Sequence, residues 1–184
     1  MIFQDPQSSL NPRLTIGAIL SRPLAVHGKF ADAGGRRRRT RELLEIVGLP
    51  AAFTDRYPHE LSGGQRQRVG IARALAPEPE FIVADEIVSG LDVSTQAQIL
   101  LLLRQLREEF NLTLVFISHD LSVVRVLCDK VAVLLGGVIV EQGDTASVFA
   151  APKHAYTREL LDCVPLPDVE EGWIMGGKTE ALLT

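Results

Sequence analysis

Cysteine is nearly absent. The 184 residues hold two, Cys128 and Cys163, in neither a CxxC pair nor a metal-ligand spacing. No disulfide framework or thiolate metal site is therefore expected, and the count fits the reduced thiols of a cytosolic protein. Long apolar runs are missing too. The longest aliphatic stretch, Ile99 to Leu103, is far below the roughly 18 residues that a membrane-spanning helix needs. No basic-then-apolar leader opens the sequence, so no secretory signal is expected. Basic residues are in the minority, with Lys+Arg 19 against Asp+Glu 23 and a net charge of -4. That balance disfavours general nucleic-acid binding. Any membrane role is expected to come through a partner. There is no internal repeat and no low-complexity segment. What is present is ordinary: 46% hydrophobic and 23% charged residues, enough for one globular domain with a sizeable core.

Apolar runs alternate with amphipathic ones. Met1-Ile2-Phe3-Gln4 reads as the end of a strand. Asp5 to Pro12, with two prolines, reads as a turn-rich loop. A mainly helical stretch from about Ile16 to Leu49 is expected to break near Gly34-Gly35, with Leu43, Leu44 and Val47 on one face of its second part. Arg36–Arg39 opens that second helix; a solvated helix face fits the four arginines, and a phosphate or nucleic-acid patch is the other reading, though no aromatics are interleaved as a nucleic-acid surface would want. Phe81-Ile82-Val83-Ala84, closed by Asp85-Glu86, suits a buried parallel strand. Asp92 is placed to cap a helix running to about Phe110 with Ile99, Leu102, Leu103 and Leu106 as its stripe. A strand from Leu112 to Ile117, a helix from Leu121 to Cys128, strands Val131–Leu135 and Val138–Glu141 joined through Gly136-Gly137, and a helix from His154 to Asp162 complete the pattern. Such alternation predicts an α/β fold, a mainly parallel sheet flanked by helices, whose ligands gather at the carboxyl ends of the strands. Gln4, Asp85-Glu86 and His119 all stand at such ends.

Leu61-Ser62-Gly63-Gly64-Gln65-Arg66-Gln67-Arg68 is a loop turning into a helix. Ser62 and Gln65 have capping-box spacing. The two glycines bare the backbone, and a helix start favours an anion such as phosphate. An ordinary glycine turn opening a helix fits the same residues. Asp85 and Glu86 could hold a divalent cation and activate a water, or be a solvated acidic pair.

Taken together, these stretches resemble the ATP-binding cassette ATPases. Leu61–Gln65 looks like their signature motif, Asp85-Glu86 like Walker B, Ser89-Gly90-Leu91-Asp92 like the D-loop, His119 like the switch histidine and Gln4 like the Q-loop glutamine. Gln4–Arg13, Tyr57–Gln65, Asp92-Val93-Ser94 and Pro152–Arg158, followed by Val164–Asp168, are similar to oligopeptide, dipeptide and nickel importers. The resemblance implies a partial P-loop NTPase fold over residues 1–150, a helical subdomain carrying the signature at about 16–76, and a C-terminal extension over 151–184. It implies ATP and Mg2+ as cofactors. Asp85 and Gln4 would be at the metal, Glu86 and His119 catalytic, and Ser62, Gly63, Gly64, Gln65, Gln4 and Asp92 at the nucleotide. The implied partners are a second cassette in a head-to-tail dimer, transmembrane permease subunits and, indirectly, a substrate-binding protein, with no nucleic acid; the implied location is cytoplasmic, on the inner face of the membrane. His27, His59 and His154 are expected to be surface or packing residues.

Three departures stand out. The phosphate-cradling G-x-x-x-x-G-K-[ST] is absent. Ile87 stands where the family usually has proline, and Gly90 where alanine is common. Met1 is accordingly expected to be an internal methionine of a truncated or mis-started cassette, inactive alone. A missing strand is expected to leave two sheet edges facing a gap. Two further readings remain: a non-catalytic cassette contributing only its signature, and a non-transport cassette acting on nucleic acid or ribosomes.

Overall fold

The computed structural model describes residues 1–28, 30 and 32–163. Two compact units divide at Ile117/Ser118. The expected Val164–Asp168 match and most of the extension over 151–184 lie outside the described residues.

The first unit is mostly helical. Helix α1 spans Pro6–Ser9, α2 Ile16–Val26, α3 Ala33–Ile46, α4 Gly63–Leu75 and α5 Val93–Glu109; strand β1 is Phe81–Asp85 and β2 Thr113–Ile117. The turn-rich loop expected around Pro6 is thus a one-turn helix, because proline's fixed φ suits a first helical position. The break expected at Gly34-Gly35 falls earlier. Asp32 Oδ1 accepts the Gly35 amide at 2.7 Å, a cap that places both glycines inside α3, while α2 ends at Val26. The apolar faces then meet as the periodicity demands. α2, α3 and α4 pack on one another, and Leu20, Leu24, Leu43, Leu44 and Val47 are 0% exposed. Each such burial stabilises by about 1.5–3 kcal/mol relative to exposure. Arg36 donates to the Phe30 carbonyl at 2.8 Å, and Arg39 pairs with Glu42 and Glu78 at 3.1 and 3.6 Å. Two of the four arginines thus serve the fold.

β1 and β2 run parallel, from Phe81 opposite Thr113 to Asp85 opposite Ile117. Ile2 joins β1 on its other side as a parallel bridge to Ala84. Its amide donates to the Val83 carbonyl at 2.8 Å and its carbonyl accepts the Asp85 amide at 3.0 Å. No further strand pairs with β2 among the described residues, and its Val115 and Ile117 are 42% and 46% exposed.

The second unit contains α6 (Leu121–Leu127), β3 (Lys130–Leu135), β4 (Val138–Asp144), α7 (Thr145–Ala150) and α8 (Ala155–Cys163). β3 and β4 form an antiparallel hairpin, a separate two-stranded sheet rather than a continuation of the parallel one. Gly136 and Gly137 turn it at φ 57° and 83°, a pair of left-handed positions that only glycine occupies without strain. Asp120 caps α6 through the amides of Ser122 and Val123. Glu141 of β4 accepts the amides of Lys153 and His154 at 2.8 and 3.0 Å, anchoring the approach to α8. The hydroxyl of buried Thr157 and these two amides hold the Glu141 carboxyl down at about 2.

Candidate functional site

Two clusters of the predicted residues assemble in the first unit. The first lies at the carboxyl end of β1. Because Ile2 is hydrogen-bonded into the edge of β1, Gln4 follows it to the level of Asp85 and Glu86. The Gln4 side-chain amide donates to Glu86 Oε2 at 2.5 Å. Glu86 sits at φ 46°, a left-handed conformation that costs a non-glycine residue about 1 kcal/mol or more. Its amide donates to the Ile117 carbonyl at 2.9 Å, and its carbonyl accepts the Ser89 amide at 3.0 Å. Strand, bend and turn therefore overdetermine the Glu86 backbone. Ile87 and Val88 follow, 1% and 4% exposed, so the position where proline is usual in the resembled family is filled by a core side chain.

The second cluster is the start of α4. Ser62 Oγ accepts the Gln65 amide at 3.3 Å, and Gln65 Oε1 accepts the Ser62 amide at 3.0 Å. This closes the capping box that the spacing predicts. The amides of Gly63 and Gly64 stand at the first two helical positions, where a helix offers no carbonyl of its own. Opposite them is the segment before α5. Asp92 accepts the Ser94 hydroxyl at 2.6 Å, the Thr95 hydroxyl at 2.7 Å and the Thr95 amide at 2.9 Å. The Ser94 and Thr95 hydroxyls, then the Thr95 amide, hold its carboxyl well below the usual carboxylate range. Leu91 Cδ2 would lie 3.5 Å from a Cβ on Gly63.

The arginines after the glycines bond within the fold. Arg66 donates to the Leu61 carbonyl at 2.5 Å. Arg68 reaches the Val47 carbonyl at 2.7 Å and Gln98 Oε1 at 3.3 Å, tying α4 to α3 and α5. Arg73 donates to the Ser9 carbonyl. His119 belongs to the second unit, exposed in the turn between β2 and α6. His27 closes α2, His59 stacks on Tyr57 with centroids 5.7 Å apart, and His154 Nδ1 accepts the Tyr156 amide at 3.2 Å.

Residues 1–89 match the family described as ABC transporter, and residues 140–182 that described as oligopeptide/dipeptide transporter, C-terminal region. Over 168 residues, 91% of this chain, the sequence is 52% identical to the oligopeptide transport ATP-binding protein AmiF of Streptococcus pneumoniae serotype 4. It is 51% identical over the same length to OppF of Bacillus subtilis, of the same description. The chain carries an ABC transporter domain. It spans about half the length of these relatives, 54% of the first and 55% of the second. Solved ATP-binding cassettes share its fold. A dimeric one in a post-hydrolysis state bound to ADP and Pi gives a TM-score of 0.67 at 35% identity, covering 78% of this chain and 61% of that one. CbiO1 of Clostridium perfringens, part of the ABC transporter complex cbiONQ, gives 0.69 at 30% identity, covering 81% and 58%.

Nucleotide binding is the family's common property, and this ABC chain meets it unevenly. The open amides and small residues at Gly63-Gly64 fit a phosphate edge. No phosphate-cradling loop exists in the 184 residues. Among the described residues no three of His, Cys, Asp and Glu converge on a point. No helix among the described residues is long and apolar enough to cross a membrane. Sequence reading gave no role to Thr95, whose methyl stands beside Gly64, or to Arg68, which ties α4 to α3 and α5. Only the packing of α5 on α4 brings them into view.

Proposed function

We propose that this chain is the ATP-binding, ATP-hydrolysing component of an importer for peptides or nickel, working beside permease subunits and a substrate-binding protein on the inner face of the membrane. In this reading residues 1–150 are a partial cassette, 16–76 its helical subdomain and 151–184 an importer-type extension. The observation that carries it is the start of α4, a reciprocally capped Ser62–Gln65 turn with two open glycine amides. That surface suits the phosphates of a nucleotide held by a second cassette. Ser62 and the amides of Gly63 and Gly64 then bind and orient, while Gln65 is kept in the cap. In a nucleotide site of this chain's own, Asp85 and Gln4 would hold the metal and Glu86 would take the proton of the attacking water at its carboxylate; the role assigned to His119 is donation to the terminal phosphate. Without the phosphate-cradling loop that site would hold no nucleotide. Mg2+ accompanying ATP would neutralise phosphate charge. Asp92 keeps the intervening segment in shape.

Because the phosphate-cradling loop is lacking, the second cassette must supply that grip, and the chain alone is expected to turn over no ATP. The test is ATPase assay of the chain alone and mixed with a cassette that has its own phosphate loop but a disabled signature. Turnover should appear only in the mixture and be lost with Ser62→Ala. Turnover by the chain alone that is abolished by Glu86→Gln would overturn this division of labour.

A further inference from the structure

The start of α4 rests on a side chain from α5. A Cβ built on Gly64 would lie 2.5 Å from Thr95 Cγ2, but 3.8 and 3.9 Å from Thr95 Cβ and Oγ1. The obstruction is one methyl group. Thr95 is itself immobilised, its hydroxyl and amide both donating to the Asp92 carboxylate, which also accepts Ser94. The Cβ direction at Gly64 thus points at α5 and not at open space. The need for glycine at this position comes from inside the chain.

We propose that Thr95 is a positioning residue for the signature: its methyl is the stop against which Gly64 rests, so that residues 91–95 and 62–65 move as one body. As a statement about catalysis this rests on the reading that residues 62–65 meet a partner's nucleotide. As a statement about packing it stands without that reading. The geometry makes a sharp demand. An alanine methyl at 64 would overlap the Thr95 methyl 2.5 Å away, and the two cannot coexist without a shift, so exchanging one methyl for the other should preserve the contact, whereas adding or deleting one should not.

The experiment compares the full chain with Gly64→Ala, Thr95→Ser and the double variant Gly64→Ala/Thr95→Ser. Amide hydrogen exchange is followed across residues 62–68 and across the core of α5. Each single variant should speed exchange at 62–68 by about tenfold while α5 stays protected, and the double variant should return to within about twofold of the original. Exchange in the double variant as fast as in Gly64→Ala overturns the proposal. The second readout is ATP turnover in the mixture with the signature-disabled cassette. Thr95→Ser should lower kcat by about tenfold at unchanged KM for ATP, and the double variant should recover it. Recovery of exchange without recovery of kcat would show packing alone and overturn the positioning role. If the unsubstituted mixture shows no turnover, the proposed function fails, and the exchange comparison still decides the contact.

Discussion

Replacing Ser62 by alanine separates structural from chemical roles at the start of α4. The side chain accepts one amide, that of Gln65, at 3.3 Å. Losing such a cap costs about 1 kcal/mol. In a chain of this size that lowers the thermal midpoint by about 2–4 °C. Gln65→Ala removes the other half of the box, the 3.0 Å bond to the Ser62 amide, and should cost a similar or smaller amount. The double variant should lose less than the sum, because each single change already opens the box. A loss near 1 kcal/mol leaves the chain folded at assay temperature, so stability cannot account for a change in turnover. If Ser62 also touches nucleotide, Ser62→Ala should reduce kcat/KM in the two-cassette mixture by tenfold or more, about 1.4 kcal/mol of transition-state stabilisation. Calorimetry and a coupled phosphate-release assay on the same preparations measure both. An unchanged midpoint would refute the cap. A midpoint shift with unchanged kcat/KM would refute the nucleotide role and leave Ser62 as a cap alone.

Three other outcomes follow from the same structure. Glu86→Gly should be more stable than Glu86→Ala by about 1 kcal/mol, because both lose the carboxylate but only glycine is relaxed at this left-handed position; chemical denaturation of the pair checks it, and equal midpoints would mean the φ of 46° is not held in solution. Leu44→Ala, at a site 0% exposed, should cost about 2–5 kcal/mol, and a shift in denaturation midpoint no larger than that of a surface substitution would contradict the described core. Glu141 has a folded-state value near 2, below its unfolded value of about 4.3. Its contribution is therefore complete above the unfolded value and lost as pH falls toward 2, and Glu141→Gln should flatten that part of the stability–pH curve.

Much of this arrangement was legible because it depends on neighbours in sequence. The Ser62/Gln65 box, the Asp92 cap and the leucine stripes of α3 and α5 are local, and each appears where its spacing places it. Local rules misled where two of them competed. The glycine pair at 34–35 signals a break, yet the Asp32 cap outweighs the glycine cost and the break moves upstream. Proline at 6 signals a loop, yet it opens a turn of helix. Strand alternation suggests one mainly parallel sheet, and the described residues carry a parallel pair and a separate hairpin. Glu86's φ and Thr95's methyl were beyond reach, since each is set by elements distant in sequence.

The bridge at Ile2 has a consequence for the order of assembly. Its two hydrogen bonds join residues some 80 positions apart, so closing that loop carries an entropic cost that the helices do not bear. The helices can form and pack before it closes. Gln4 is therefore expected to reach Glu86 late in folding, and the same contact should be among the first to open when the chain is stressed. Readiness for chemistry at the end of β1 would then report completion of the fold, and a chain with its helices intact could still be one contact short of competence.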